Sequence, residues 1–489
     1  MIFRRILLFL SVVSLCIGCE KERPSVLQIS QSSVLLPNEP GAVATLDIQT
    51  DGAWTAVVDG DGFTVTPMRG NAGSTQVSIG TENRNTQEKR QTLGTVQFVL
   101  DDSSSVFTTI EISQRAVIAS HTLLLYMFGR SLLAYYEKNI AGIERAVNSE
   151  IPGDGRILVC YQPESYGKAT LLEVFYDVEK QQCVREQLKT YDEFRADDAA
   201  CVRRMFADIY DEAPAESYGL ALGCHGFGWV PVGSVLQKSA YSMERPRPGA
   251  LMTRNSTRFL GDTGHLIDIA QLAEAVTGLP YRFDYLIFDD CFMANIETLY
   301  DLRQVFDYIV ASPCEVMAVG FPYDRTVPYL FASETPDLPC VCREFWNFYE
   351  NDWNTVPNNA QSGCISLAVT KELDALAETV AAIHAAPTNS YDAAELQSYE
   401  GLTSHVFYDL DDYIRSICSD PALYDYFEEQ LARAFPRDCR YHTEKFYSGY
   451  NMRLNPITTY SGVTTSEPSR QFTAQHKGTS WYRRTHGLE

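Results

Sequence analysis

The sequence predicts an α/β domain built on a mainly parallel sheet with helices on both faces, preceded by a small all-β sandwich. The first part rests on element order. Beyond Ala116, apolar runs of strand length (TLLLYMF, RILVCYQ, YGLALGCHG, FDYLIFDDC) alternate with SLLAYYEKNIAGIERAV, DDAACVRRMFADIYDEA and DIAQLAEAVTG, whose apolar residues recur at helical spacing. Strands alternating with helices pair in parallel and are covered on both faces. The second part rests on cadence: from about Val26 to Arg115, short β-rich runs (VLQIS, ATLDIQT, FTVTP, TQVSIG, TVQFVL, TTIEIS) are separated by Gly, Asn, Asp and Ser turns. A chain of 489 residues is also too long for one core and calls for two or three domains.

At the N-terminus, Arg4 and Arg5 precede an apolar run from Ile6 to Gly18. That run is shorter than the about 20 apolar residues a bilayer span needs, and it has the build of a secretory signal peptide. Its ending, Cys16-Ile17-Gly18-Cys19, resembles a lipobox, which makes residues 1–18 a lipoprotein signal, Cys19 the lipidated residue and 19–25 a tether. Cys16 stands where leucine is usual. Glu20 and Glu22 resemble the export signals of surface-exposed lipoproteins, so the expected location is the outer membrane, at its surface or periplasmic face.

Residues 26–116 form the expected sandwich. The order Trp54, Pro67, Gly70-Asn71-Ala72-Gly73, Asn83, Arg90 and a last strand ending at Gln114 resembles the BACON domain, an immunoglobulin-like module of secreted bacterial proteins. The resemblance implies carbohydrate binding or a plain spacer, and one Trp in a sandwich is more often core than a sugar platform. Asp59-Gly60-Asp61-Gly62 reads as a turn, because Thr64 and Gly70 stand where a calcium loop needs Gly and Glu.

The composition excludes some partners. A formal net charge of −23 repels an anionic polymer, so nucleic acid is not expected. The 13 cysteines lack CxxC pairs and indicate neither a zinc site nor a dense disulfide scaffold; setting aside Cys16 and Cys19 leaves an odd number, so a monomer keeps a free thiol.

Residues 117–489 carry the chemistry. In open α/β sheets, ligands bind at the carboxyl ends of strands. Two strands end in reactive groups, one in Cys224-His225-Gly226 and the other in Asp289-Asp290-Cys291. Carboxylates beside a thiol keep it protonated, so Cys291 needs a positive partner, and His225 at the mouth of a neighbouring strand supplies one. Gly226 has no side chain to obstruct a substrate, and its N–H with that of Cys291 makes a candidate oxyanion hole. Side-chain alternation sends Asp289 and Asp290 to opposite faces.

LALGCHGFGW, LIFDDCFMANIE and DYIVASPCEVMAVGFPYD, with LLLYMFGRSLLAYYEKNI before them and SWYRRT at the end, resemble the clostripain family of cysteine peptidases, of the caspase-like clan. The resemblance covers roughly residues 120 to 489. It implies a caspase-like fold, Cys291 as nucleophile, His225 as its imidazolium partner, Gly226 in the oxyanion hole, and Asp289 as the base of a pocket for Arg or Lys. It also implies a possible calcium dependence, although no ligand set is legible and the chemistry itself needs no cofactor. Departures are Asp290, where the family has a small residue, and Pro313, where an acidic residue more often follows Ser312; a second pocket carboxylate, Glu315 or Asp324, is left open. The other histidines (His121, His265, His384, His405, His442, His476, His486) read as surface or core.

The expected function is therefore a lipid-anchored cysteine endopeptidase cleaving protein substrates after Arg or Lys through a thiol acyl-enzyme. The alternatives are an inactive caspase-fold surface binding or adhesion protein, or a transpeptidase. Family members cut themselves after basic residues, and VLQKSAYSMERPRPGALMTRNSTRF, between the two candidate catalytic strands, lacks periodicity and suits nicking. Proline follows Arg245 and Arg247, which leaves Lys238 as the first choice for autocleavage, with Arg254 and Arg258 behind it.

Overall fold

The structure is a computed structural model that describes residues 26–38, 40–87, 90–162, 167–177, 180–231, 261–262, 265–333, 335–352 and 361–488. The leader, the tether with Cys19, and the stretch carrying Lys238, Arg245, Arg247, Arg254 and Arg258 lie outside the described residues. The chain divides into two units, Met1–Val117 and Ile118–Glu489.

In the first unit, alternation along each strand separates a buried face from an exposed one. Val77 and Ile79 point inward while their neighbours do not. Two sheets result: Leu27–Ile29, Ala42–Thr50, Gly73–Thr81 and Thr64–Thr66 form one, and Ser33–Leu36, Ser103–Gln114, Gln91–Leu100, Trp54–Gly60 and Arg69–Gly70 the other. Trp54 is fully buried and packs edge-on against Phe98 with ring centroids 5.6 Å apart. Gly70 lies against its indole, where a Cβ would come within 2.6 Å of Nε1. Trp54 is thus a core residue with no face to offer a sugar.

The second unit is built on a nine-stranded sheet in the order Gln182–Phe194, Gly167–Asp177, Arg156–Tyr161, Ala119–Met127, Ala215–Gly223, Tyr285–Phe288, Tyr308–Ala311, Cys364–Val369 and Arg440–His442. The five central strands are parallel, and the flanks at both ends are antiparallel. Central strands are mainly apolar beyond their amino ends because both faces are covered. The outermost strand, Gln182–Phe194, is half exposed and correspondingly polar, which hides it from a reading based on apolar runs.

Helices cover both faces. Ala199–Glu212, Ile269–Val276, Leu373–Ala385 and Leu410–Ile417 pack on one, and Leu133–Ala146, Tyr323–Phe331 and Leu338–Asn347 on the other. Their starts follow from capping: Asp198 accepts from the N–H groups of Ala200 and Cys201, and Asp409, first of the Asp-Leu-Asp-Asp run, from that of Asp412. Among the described residues no helix is long and apolar enough to cross a membrane.

At the amino ends of the three central strands a buried polar chain replaces apolar packing. Ser217 donates to Asp284 at 2.6 Å, and its hydroxyl lies 3.0 Å from His121 Nδ1, while His121 Nε2 lies 2.9 Å from Tyr285 Oη. Burial pushes His121 from 6.5 down to about 4, with its Ser217 hydrogen bond opposing only weakly. The unfolded chain therefore takes up this proton first as pH falls. The stability gained by burying a neutral ring is fully present above pH 6.5 and is lost as pH drops towards about 4, by up to about 3 kcal/mol. In urea unfolding across this range, the stability gap between wild type and His121→Gln should narrow with acidification; a gap that stays constant would contradict this account.

Candidate active site

The strand pair Ala215–Gly223 and Tyr285–Phe288 aligns the two reactive segments. Its last ladder pair is Leu222 opposite Phe288, and the N–H of Asp289 still donates to the carbonyl of Leu222 at 2.8 Å. Counting on equally from that pair brings His225 level with Cys291 at the carboxyl ends of neighbouring parallel strands. Gly226 follows in close contact: a Cβ there would lie 2.5 Å from the carbonyl oxygen of Cys291 and 2.9 Å from Asp290 Cβ. Only glycine lets the backbone approach the Cys291 turn this closely. Phe292, immediately after the cysteine, adopts a φ of 59° and turns the chain away from the strand.

The two aspartates take different partners. Asp290 accepts from the Cys224 N–H at 2.6 Å and ties together the ends of the two strands. Asp289 accepts from the Phe321 N–H and the Tyr323 hydroxyl, each at 3.1 Å, and is fully buried. Tyr323 lies near the end of the run DYIVASPCEVMAVGFPYD, and no sequence spacing reveals its partner. Of the two open carboxylates, Glu315 is buried and accepts from Gly449 N–H at 2.8 Å, whereas Asp324 is half exposed and bridges to Arg145 at 3.2 Å.

Cys291 Sγ is buried and engages the backbone of one residue of the segment after Ala311: the Val316 N–H donates to it at 3.4 Å, and the thiol reaches the Val316 carbonyl at 3.6 Å. That segment is tied alongside the cysteine turn by Phe292 N–H to Cys314 carbonyl, 3.0 Å, and Ala294 N–H to Ser312 carbonyl, 2.9 Å. Phe227, Trp229, Phe292, Val406 and Phe407 pack with Cys291 in one apolar cluster. His225 is 1% exposed, and its Nε2 lies 2.8 Å from the Ser131 hydroxyl. Sequence reading missed Ser131, which stands in the short 3-10 helix Arg130–Leu132 after the strand Ala119–Met127, where serine is unremarkable.

A second layer holds the first. Glu297, on the helix that follows Cys291, is fully buried and receives the Ser466 N–H at 2.8 Å, the Thr465 hydroxyl at 3.1 Å and His476 Nε2 at 3.0 Å. Burial disfavours a charged His476, but the hydrogen bond and charge of Glu297 outweigh it and raise its pKa. Trp229, ending the His-Gly-Phe-Gly-Trp run, donates to Ser466 Oγ at 2.8 Å and packs on His476. Trp481 of the closing motif is buried against Tyr300. The motifs spread through the sequence thus converge on one site and its support. No disulfide joins any two of the 11 described cysteines.

The family model described as the Clostripain family matches residues 125–422. No curated protein matches the chain. Among solved structures it is similar to a secreted C11 cysteine protease from Bacteroides thetaiotaomicron called iotapain, with 30% identity, a TM-score of 0.65, and coverage of 76% of this chain and 100% of that one. A C11 zymogen from Parabacteroides distasonis, titled inactive, matches at 25% identity and TM-score 0.61 over 76% of this chain and 99% of its own. A secreted C11 protease from Bacteroides thetaiotaomicron in complex with an irreversible peptide inhibitor matches at 23% identity and TM-score 0.62, over 75% and 99%, a likeness of fold alone.

Proposed function

The chain belongs to the clostripain family and is a cysteine peptidase, and from that premise we propose that it is an exported, lipid-anchored endopeptidase cleaving after Arg or Lys. The observation that carries the assignment of roles is the close approach of the Gly226 backbone to Cys291 just beyond the last paired residues of their strands. Cys291, as thiolate, attacks the scissile carbonyl, and the developing oxyanion is received by the N–H groups of Gly226 and Cys291. The His225 imidazolium gives its proton to the departing amine, leaving a thioester. The neutral imidazole then takes a proton from water, whose oxygen attacks the thioester; the C–S bond breaks, the acid product leaves, and the thiolate and imidazolium are restored. Ser131 at Nε2 orients the ring.

Asp289 is the proposed receiver of the substrate's cationic side chain. Its support is a fully buried carboxylate, held by Phe321 and Tyr323, two residues before the nucleophile. A carboxylate with fixed orientation in a dry site binds a guanidinium or ammonium more strongly than one in water. Asp290, already engaged by Cys224, is assigned to the scaffold.

Self-activation fits the closed state of the site. Cys291 and His225 are both buried, so a peptide reaches them only after a rearrangement, and a cut in the chain between them would permit one. The solved zymogen among the similar structures gives this reading a parallel. Lys238 is the proposed cleavage point, and Cys19 the proposed lipid attachment.

Three measurements test these proposals. Fluorogenic peptides ending in Arg, Lys or Asp, assayed with calcium and with chelator, should be cut after the basic residues only; Cys291→Ala should abolish turnover, and Asp289→Asn should lower kcat/KM for both basic substrates by about tenfold or more. Wild type preferring the Asp peptide would overturn the pocket assignment, and equal rates in both buffers would overturn calcium dependence. Intact-mass analysis of wild type held at neutral pH should give two associated fragments meeting at Lys238, with Cys291→Ala staying whole; a fully active, uncut wild-type chain removes self-activation. On cell fractionation, wild type should stay with membranes and Cys19→Ala should be released, whereas equal release of both refutes the anchor.

A further inference from the structure

Away from the candidate active site, three side chains from distant segments meet at the chain's C-terminal end. His384 lies in the last turn of the helix Leu373–Ala385, Glu467 follows the short strand Thr464–Thr465, and His486 follows the helix Ser480–Thr485. One ring nitrogen of each histidine and one carboxylate oxygen of Glu467 lie within 4.8 Å of one another. We propose that His384, Glu467 and His486 bind a divalent transition-metal ion of the zinc type, which clamps the C-terminal segment to the helix Leu373–Ala385.

The chemistry of the donors selects the ion. Two imidazoles with one carboxylate suit zinc and its neighbours in the first transition row, whereas calcium and magnesium prefer all-oxygen sites. Three protein ligands with the fourth position left to water is a recurrent zinc arrangement. In a tetrahedral site the donor atoms stand about 3.4 Å apart, so side-chain rotations of an ångström or so complete the geometry.

An independent observation points to a missing cation. The Glu467 side chain is only 6% exposed, yet its Oε1 has no hydrogen-bond partner among the described residues. A buried carboxylate oxygen without a donor is costly, and a bound cation removes that cost. The histidines are also held as ligands are: His384 Nδ1 lies 3.2 Å from the Thr485 carbonyl and His486 Nδ1 3.0 Å from the Tyr482 carbonyl. Main-chain acceptors of this kind set the tautomer and orientation of metal-binding imidazoles. The two rings sit 4.5 Å apart, and His486 stacks on Tyr482.

The position gives the ion a purpose. The segment it would clamp includes Ser466 and His476, which hold Trp229 and Glu297 behind the candidate catalytic residues. The ion would therefore stabilise the support of the site without touching substrate.

The test uses the full chain carrying Cys291→Ala, which removes the candidate nucleophile as a competing zinc ligand. After chelator stripping, calorimetric titration with zinc chloride should show one ion bound per chain, with a raised Tm. Cobalt chloride should give visible bands of a nitrogen- and oxygen-ligated ion. His384→Gln and His486→Gln, each checked for fold by circular dichroism, should weaken binding by at least about tenfold; His486, close to the chain end, keeps the test available if the other variant unfolds. A parent protein that binds no zinc, variants that bind as tightly as the parent, or a cobalt spectrum dominated by thiolate charge transfer would each overturn the proposal.

Discussion

The register between the strands Ala215–Gly223 and Tyr285–Phe288 is the constraint on which the rest of the site depends. Parallel pairing sends both carboxyl ends to the same edge, and Leu222 opposite Phe288 sets how far each chain runs before it turns. A slip by one residue would move His225 off the level of Cys291 and turn the inward side chains of one strand to the opposite face. The strands resist that slip because both faces are buried under helices, so any shifted register exposes or misplaces apolar side chains along their whole length.

Around that register, Asp289, Asp290 and Glu297 are each met by donors, and the partnerships do the positioning. Asp290 closes the strand pair through Cys224, Asp289 is held by the segment carrying Phe321 and Tyr323, and Glu297 gathers Thr465, Ser466 and His476 from the far end of the chain. A buried carboxylate that lost these donors would carry a large desolvation cost. The same groups therefore account for both the rigidity of the site and the presence of a polar C-terminal segment behind it. In the same unit, the His121, Ser217 and Tyr285 chain joins the opposite ends of the central strands.

Legibility followed burial and locality. The central strands announced themselves as apolar runs because both their faces are covered, and the helix Ala199–Glu212 showed itself by the helical spacing of its apolar residues, because periodicity is written in neighbouring residues. The strand Gln182–Phe194 was missed because an exposed edge strand carries polar residues that match no buried pattern. His225, Cys291 and Asp289 were legible because strand ends and short motifs place them. Ser131, Tyr323 and His476 were not, since each reaches its partner across 94, 34 or 179 residues of chain.

By itself the sequence determined the class of fold, the division into a β sandwich and an α/β unit, and the pair of strand ends that bear a histidine and a cysteine. These rest on periodicity, composition and motif, which are written in neighbouring residues. Only the tertiary structure decided which aspartate engages Tyr323 and which caps a strand, that Trp54 belongs to a core, and that His384, Glu467 and His486 meet at all. Those outcomes depend on contacts between residues far apart in the chain, where the geometry of packed helices and strands, not local pattern, fixes which side chains share a space.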